Sequence, residues 1–279
     1  MRSIIFNWQK KYVGQDKSRT ILSIVIVGLI ILVIGIAGTL YYFSYTEKKQ
    51  LEENKRRQQA QIQQKTRSII DFYSTSLSGA SPRQFMQFML EVYSSRQSIE
   101  LLGFTERSYL CNSNTCNFSY ELNDNTIFNI QNKVFMGKEY QPSFSENKLD
   151  FLDIPSGLNI NPGLNAFHQK SPIAAPGCND ILNYLYGYNS LVPKDERFSI
   201  VTLPSSTVTS AEADLPNLPE SYQLLFATLS VSIPDTYLDV VAFWERHAFL
   251  DSIIIKSVEK NNNSSIKSLN VQGAFLCKK

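Results

Sequence analysis

Residues 21–43 (ILSIVIVGLIILVIGIAGTLYYF) are twenty-three consecutive positions without a charge, an amide or a proline. At ~1.5 Å per residue such a helix is roughly 35 Å long, enough to cross a hydrocarbon core of about 30 Å. Tyr41, Tyr42, Phe43 and Tyr45 cluster at its end, where amphipathic rings favour the headgroup layer, and charge resumes at Glu47, Lys48 and Lys49. A cleaved signal peptide is the competing reading. Its apolar core is usually about 7–15 residues, and Gly38-Thr39-Leu40 is a poor small-x-small cleavage site, so the stretch is expected to remain as an uncleaved transmembrane helix.

The span divides the charge. Residues 1–67 carry 12 Lys+Arg against 4 Asp+Glu, net +8, and residues 68–279 carry 15 against 21, net −6. Basic charge beside the span suits anionic lipid headgroups, and the mildly acidic remainder argues against nucleic acid as a partner.

Orientation does not follow from the basic residues, because Arg2, Lys10, Lys11, Lys17 and Arg19 precede the span while Lys48, Lys49, Lys55, Arg56 and Arg57 follow it. The four cysteines, Cys111, Cys116, Cys178 and Cys277, all lie on the C-terminal side. An even number there is the pattern of an oxidising compartment, so the N-terminus is expected in the cytoplasm and the large domain in the periplasm.

Residues 1–20 are read as a cytoplasmic tail. Ile4, Ile5, Phe6, Trp8 and Tyr12 among its lysines suit the inner membrane face or a cytoplasmic partner as well as a plain orientation tail. Within the span, Gly28 and Gly35 share one helical face, and Gly35 with Thr39 forms a small-xxx-small pair, which together mark where a second helix could approach. Residues 46–77 are rich in Glu, Lys, Arg and Gln without Gly or Pro, and read as a coiled-coil-like helical stalk. Glu52→Arg56 and Glu53→Arg57 are favourable i,i+4 pairs. A heptad register through Leu51, Lys55, Gln58, Ile62, Lys65, Ile69 and Phe72 gives a half-apolar seam. Leu51, Ile62, Ile69 and Phe72 are its partner-binding candidates.

Residues 81–279 are expected to form an α+β domain. Ser81-Pro82 opens a helix to about Ser95, followed by strand-like runs at 99–110 and 117–122. Between those runs, Cys111-Asn-Ser-Asn-Thr-Cys116 reads as a disulfide-closed hairpin; a metal site would need further Cys or His ligands nearby. Cys178 and Cys277 are then the remaining pair. Residues 123–220 are irregular, with a short helix at about 179–188 and a strand at 198–203. The end is clearer: a strand around 225–233, a helix opened by Pro234-Asp235, then strands at 251–260 and 266–277 separated by a turn at 261–265. The order is β-α-β-β. The earlier helix and hairpin repeat its α-β-β part, which gives either two related halves (81–150 and 198–279) or one ferredoxin-like α/β sandwich built from both.

Short tail, single span, helical stalk and a β-α-β-β unit ending in IKSLNVQGAFLCK together resemble the PilO/GspM group of inner-membrane assembly-platform proteins of type IV pilus and type II secretion machines. The sequence component of the likeness is confined to roughly residues 224–279. It implies a single-pass inner-membrane scaffold whose partners are other inner-membrane and periplasmic platform proteins, met as a homo- or heterodimer through stalk and domain, with no cofactor.

Chemistry has little to stand on in this sequence. His168 lies in a Pro/Gly-bounded loop, and His247 is read as a surface or helix-end charge. Nucleotide-binding, serine-hydrolase and zinc-protease motifs do not occur, and Asp150 with Asp153 reads as an acidic loop. No catalytic residue and no metal ligand is assigned. A conjugation-type channel subunit, marked by helix-helix-strand order, and an extracytoplasmic sensor are the alternatives.

Overall fold

The computed structural model describes residues 17–124, 132–261 and 268–279. Most of the tail expected over residues 1–20, and the turn expected after Asn261, lie outside the described residues. The chain divides into two units, residues 1–63 and 64–279.

Helix α1 (Lys17–Ser76) is uninterrupted over 60 residues. From Ile24 onward it contains a stretch long and apolar enough to cross a membrane, judged by length and composition. Side chains such as Ile31 and Ile34, each 65% exposed, cover no protein surface, which is costly in water and natural in lipid. The hydroxyl of Thr39 donates to the Ile36 carbonyl at 2.8 Å, so the helix satisfies that polar group itself. Farther along, Arg57 pairs with Glu53 at 2.7 Å.

The second unit begins with residues 64–76 of α1, so its boundary falls well before the domain start expected at residue 81. Helix α2 (Pro82–Glu100) follows, its first turn capped by Ser81, whose hydroxyl accepts from the Gln84 amide at 3.3 Å. It extends past the end expected near Ser95. Ile99, read as the start of a strand, is a fully buried helical residue, and the break comes at Gly103, whose φ of 89° lies in the left-handed region. Strands β1 (Phe104–Asn112), β2 (Thr115–Leu122), β3 (Lys133–Phe135), β4 (Lys138–Tyr140), β5 (Ser143–Ser145) and β6 (Lys148–Pro155) come next. Then come α3 (Pro162–His168), α4 (Cys178–Leu191), β7 (Ser199–Ile200), α5 (Thr209–Asp214), β8 (Leu224–Pro234), α6 (Tyr237–Glu245), β9 (Ile253–Asn261) and β10 (Ser268–Lys278).

Eight of the strands form one antiparallel sheet in the order β5-β6-β2-β1-β9-β10-β8-β7, with β3-β4 as a separate hairpin. Strand β10 lies between β8 and β9, so two strands joined through α6 run parallel with a third inserted between them, a split β-α-β arrangement. Strand β1 pairs with β9, which places α2-β1-β2 and β8-α6-β9-β10 in a single sheet.

Both faces of the sheet bury apolar side chains. Ile253, Ile255, Phe275 and Cys277 face a core shared with Phe85, Met89 and Val92 of α2, Val240 and Trp244 of α6, and Ile181 and Leu185 of α4. Ile254 and Leu276, one position out of phase, face a second core made with Ile69, Tyr73 and Leu77, together with Phe167 of α3. Two-sided burial explains why β9 opens with three consecutive isoleucines. On the β1-β2-β6 half the second face is open, and Leu110 and Leu152 are 48% and 58% exposed.

Candidate functional site

The end of α1 is a built-in part of the second unit. Ile69, Tyr73 and Leu77 are fully buried, each burial contributing roughly 1.5–3 kcal/mol. The Tyr73 hydroxyl donates to Glu212 Oε1 at 2.7 Å and accepts from the Leu224 amide at 3.1 Å. Burial first, then the bond to Glu212, raise the Tyr73 pKa, so the phenol stays a donor. The last carbonyls of the helical segment also have partners. Asn161 Nδ2 donates to the oxygens of Leu77 and Gly79, and Lys256 Nζ donates to Thr75. Gly79 is required here: at φ 136° a Cβ would sit 2.6 Å from the Ile255 carbonyl oxygen.

This joint divides the seam drawn from the heptads. Leu51 and Ile62 are 55% and 49% exposed and remain open to a partner. Ile69 is fully enclosed and does not present the surface expected of it, and Phe72 is half-buried, packed edge-on against Phe226 at 5.6 Å. A helical period marks which residues are apolar, and here the domain's own sheet is what covers them. A Cβ added at Gly28 or Gly35 would meet nothing within 4 Å, so their face of the helix is uncovered.

Cys111 is bonded to Cys116 across the β1-β2 hairpin, where the two are register partners. Cys178, the first residue of α4, is bonded to Cys277 on β10.

A buried charge cluster lies between α2, β1, β8 and β9. Lys260 Nζ is bonded to Glu106 and lies 2.6 Å from Asp235 Oδ2. Arg96 reaches the same carboxylates at 3.3 and 2.8 Å, and the Tyr93 hydroxyl donates to Asp235 at 2.9 Å. Burial pushes the Glu106 carboxyl up while Lys260 pulls it back. Two cations and two carboxylates balance, as buried charges must.

His247 stands apart from that cluster, and it is not the surface charge expected. It is 5% exposed, with the rings of Tyr188, Phe243 and Phe198 centred 4.5, 4.6 and 5.0 Å from its own. Tyr184 Oη accepts from the Ala248 amide and shares a 2.8 Å hydrogen bond with His247 Nδ1. Burial, and then the Arg246 charge, lower its pKa to about 4, so the imidazole is neutral at pH 7.

No family model, curated protein or solved structure matches this chain.

The remaining sequence candidates are dispersed. His168 ends α3 at the surface. Asp150 accepts from the Ser119 hydroxyl at 2.6 Å, and the amide of Asp153 donates to Asn117. Among the described residues no group of three His, Cys, Asp or Glu side chains could hold a metal ion. The residues that sequence reasoning missed are Tyr73, Glu212 and the four charged members of the buried cluster. Each is one polar residue in an ordinary amphipathic pattern, and only the tertiary fold pairs it. The arrangement joins elements of the fold together.

Proposed function

We propose that this chain is a non-catalytic, single-pass scaffold of the bacterial inner membrane, with its N-terminus in the cytoplasm and its α+β domain in the periplasm. It would link an inner-membrane platform to periplasmic components of a pilus or secretion machine. The observation that carries this reading is α1, one helix holding both the apolar span and the buried Ile69-Tyr73-Leu77 stripe of the domain. A chain of this kind can pass a partner's position from the membrane to the domain without chemistry. Two disulfides support an oxidising compartment for the domain. The split β-α-β unit supports reading β8-α6-β9-β10 as half of a ferredoxin-like sandwich, the fold element behind the likeness to the PilO/GspM group.

One observation favours a second reading, a conjugation-type channel subunit: the chain order opens helix, helix, strand. Crosslinking the intact protein in its membrane, then recovering it for mass spectrometry, tests both. Pilus or type II platform neighbours support the first reading, conjugation-channel neighbours the second, and recovery of the chain alone contradicts both. Alkaline phosphatase fused after Lys279 is expected to be active; an inactive fusion with a bright cytoplasmic reporter at the same point would reverse the orientation.

A further inference from the structure

A cavity of about 430 Å³ opens beside the start of β8, lined by Thr209, Glu212 and Ala213 of α5, residues 222–225, and Lys278 and Lys279. Its size falls in the ~300–1,000 Å³ range of small-molecule sites. Its floor is unusual. Glu212 is 3% exposed, yet no cation lies within ion-pair distance of it among the described residues.

The two carboxylate oxygens of Glu212 are used unequally. Oε1 accepts from the Tyr73 hydroxyl at 2.7 Å, the amides of Tyr222 and Gln223 at 3.0 Å each, and the Ser221 hydroxyl at 3.4 Å. These four donors saturate it. Among the described residues Oε2 makes no hydrogen bond and is not one of the fully buried unpartnered polar atoms, and Glu212 is part of the cavity wall. A carboxylate oxygen fixed by its twin and left without a partner in a cavity wall is a preorganised acceptor for a cation. On the same cavity, Lys278 and Lys279 supply positive charge, and Ala213, Leu224 and Leu225 supply apolar wall.

We propose that this cavity binds a small zwitterion of the amino-acid class with an apolar side chain, its ammonium on Glu212 Oε2 and its carboxylate toward Lys278 and Lys279. An ammonium alone would meet the two lysines unfavourably, and a carboxylate alone would meet Glu212 unfavourably. Only a ligand carrying both charges satisfies both ends. This goes beyond the scaffold reading and does not rest on it.

The test uses the full chain in lipid nanodiscs with L-leucine as probe, followed by saturation-transfer NMR. Isoamylamine and 4-methylpentanoate, which keep the side chain but lack the carboxylate or the amine, serve as comparisons. L-leucine is expected to bind saturably and both comparisons at least several-fold more weakly. Glu212→Gln keeps an oxygen for the four donors and removes the charge, so it is expected to weaken L-leucine about 10- to 100-fold, the value of a charge-assisted hydrogen bond. Lys278→Gln with Lys279→Gln is expected to weaken L-leucine several-fold and leave isoamylamine unchanged or better bound, which decides the question even if Glu212→Gln disturbs the fold. Absence of saturable L-leucine binding overturns the proposal. So does equal binding of either comparison compound, or an unchanged affinity in the lysine variant.

Discussion

The ammonium of Lys260, near the end of β9, is bonded to the carboxylate of Glu106 on β1, and these side chains are only 3% and 1% exposed. Two strands adjacent in the sheet are thus also tied by an ion pair that water does not reach. Such a pair adds little over apolar residues of the same shape, but breaking it strands a charge. Lys260→Met is expected to cost about 3–5 kcal/mol in a denaturant melt. Adding Glu106→Gln should recover part of that loss, since the stranded carboxylate goes with it. A double variant less stable by the sum of the singles would show that the pair is not coupled.

Ile62 and Ile69 are one heptad apart and have opposite environments, 49% exposed and fully buried. Ile69→Glu is expected to unfold or strongly destabilise the domain, by more than about 4 kcal/mol, because it puts a carboxylate among Tyr73, Leu77 and Phe167. Ile62→Glu should shift the melting temperature by no more than a surface change does. Comparable melting temperatures for the two variants would contradict a joint between the end of α1 and the sheet.

These two residues also show where the sequence was legible. An unbroken apolar run and a following stretch of helix formers identified α1, and apolar alternation identified the strands of residues 224–279, as in Leu269, Val271 and Gly273. It does not say what covers an apolar stripe, and so the seam was assigned to a partner although the sheet covers its end. The helix boundary at Glu100 was missed because Ile99 suits a strand as well as a helix, and Gly103 alone marks the turn. The edge hairpin β5-β6 was missed because its outer strand has three exposed residues and no buried face to alternate. Glu106, Asp235, Glu212 and His247 were illegible as sites, since their side-chain hydrogen-bond and ion-pair partners are between 9 and 154 residues away.

The neutral imidazole of His247 makes stability depend on pH. Its folded pKa of about 4 lies below the ordinary value of 6.5, so the native state binds fewer protons than the unfolded chain between those values. The contribution is complete above pH 6.5 and is lost as pH falls toward 4, amounting to about 3 kcal/mol. Urea melts at pH 7.5 and 4.5 should therefore differ, and His247→Phe, filling the same aromatic box without titrating, should reduce that difference by about 2–3 kcal/mol. An unchanged pH dependence in the variant would show that the imidazole is not held neutral.

The two disulfides close loops of very different length, with sequence separations of 5 and 99 residues. In the chain-entropy treatment the long loop is worth about 4–5 kcal/mol and the short one about 2–3. Replacing Cys178 and Cys277 with Ala should therefore lower the melting temperature more than replacing Cys111 and Cys116. Non-reducing peptide mapping of the protein isolated without reductant should find both bonds. Free thiols at these positions would contradict an oxidising compartment.

The scaffold reading is tested most directly by placing charge on the open part of the seam. Leu51→Glu with Ile62→Glu changes exposed residues and should leave the melting temperature of the domain near that of the unaltered protein. The measurement is quantitative mass spectrometry of the proteins crosslinked to this variant and to the unaltered chain in the same membranes. The account predicts that at least one envelope partner recovered with the unaltered chain is depleted several-fold in the variant. An identical partner set at equal abundance would contradict it.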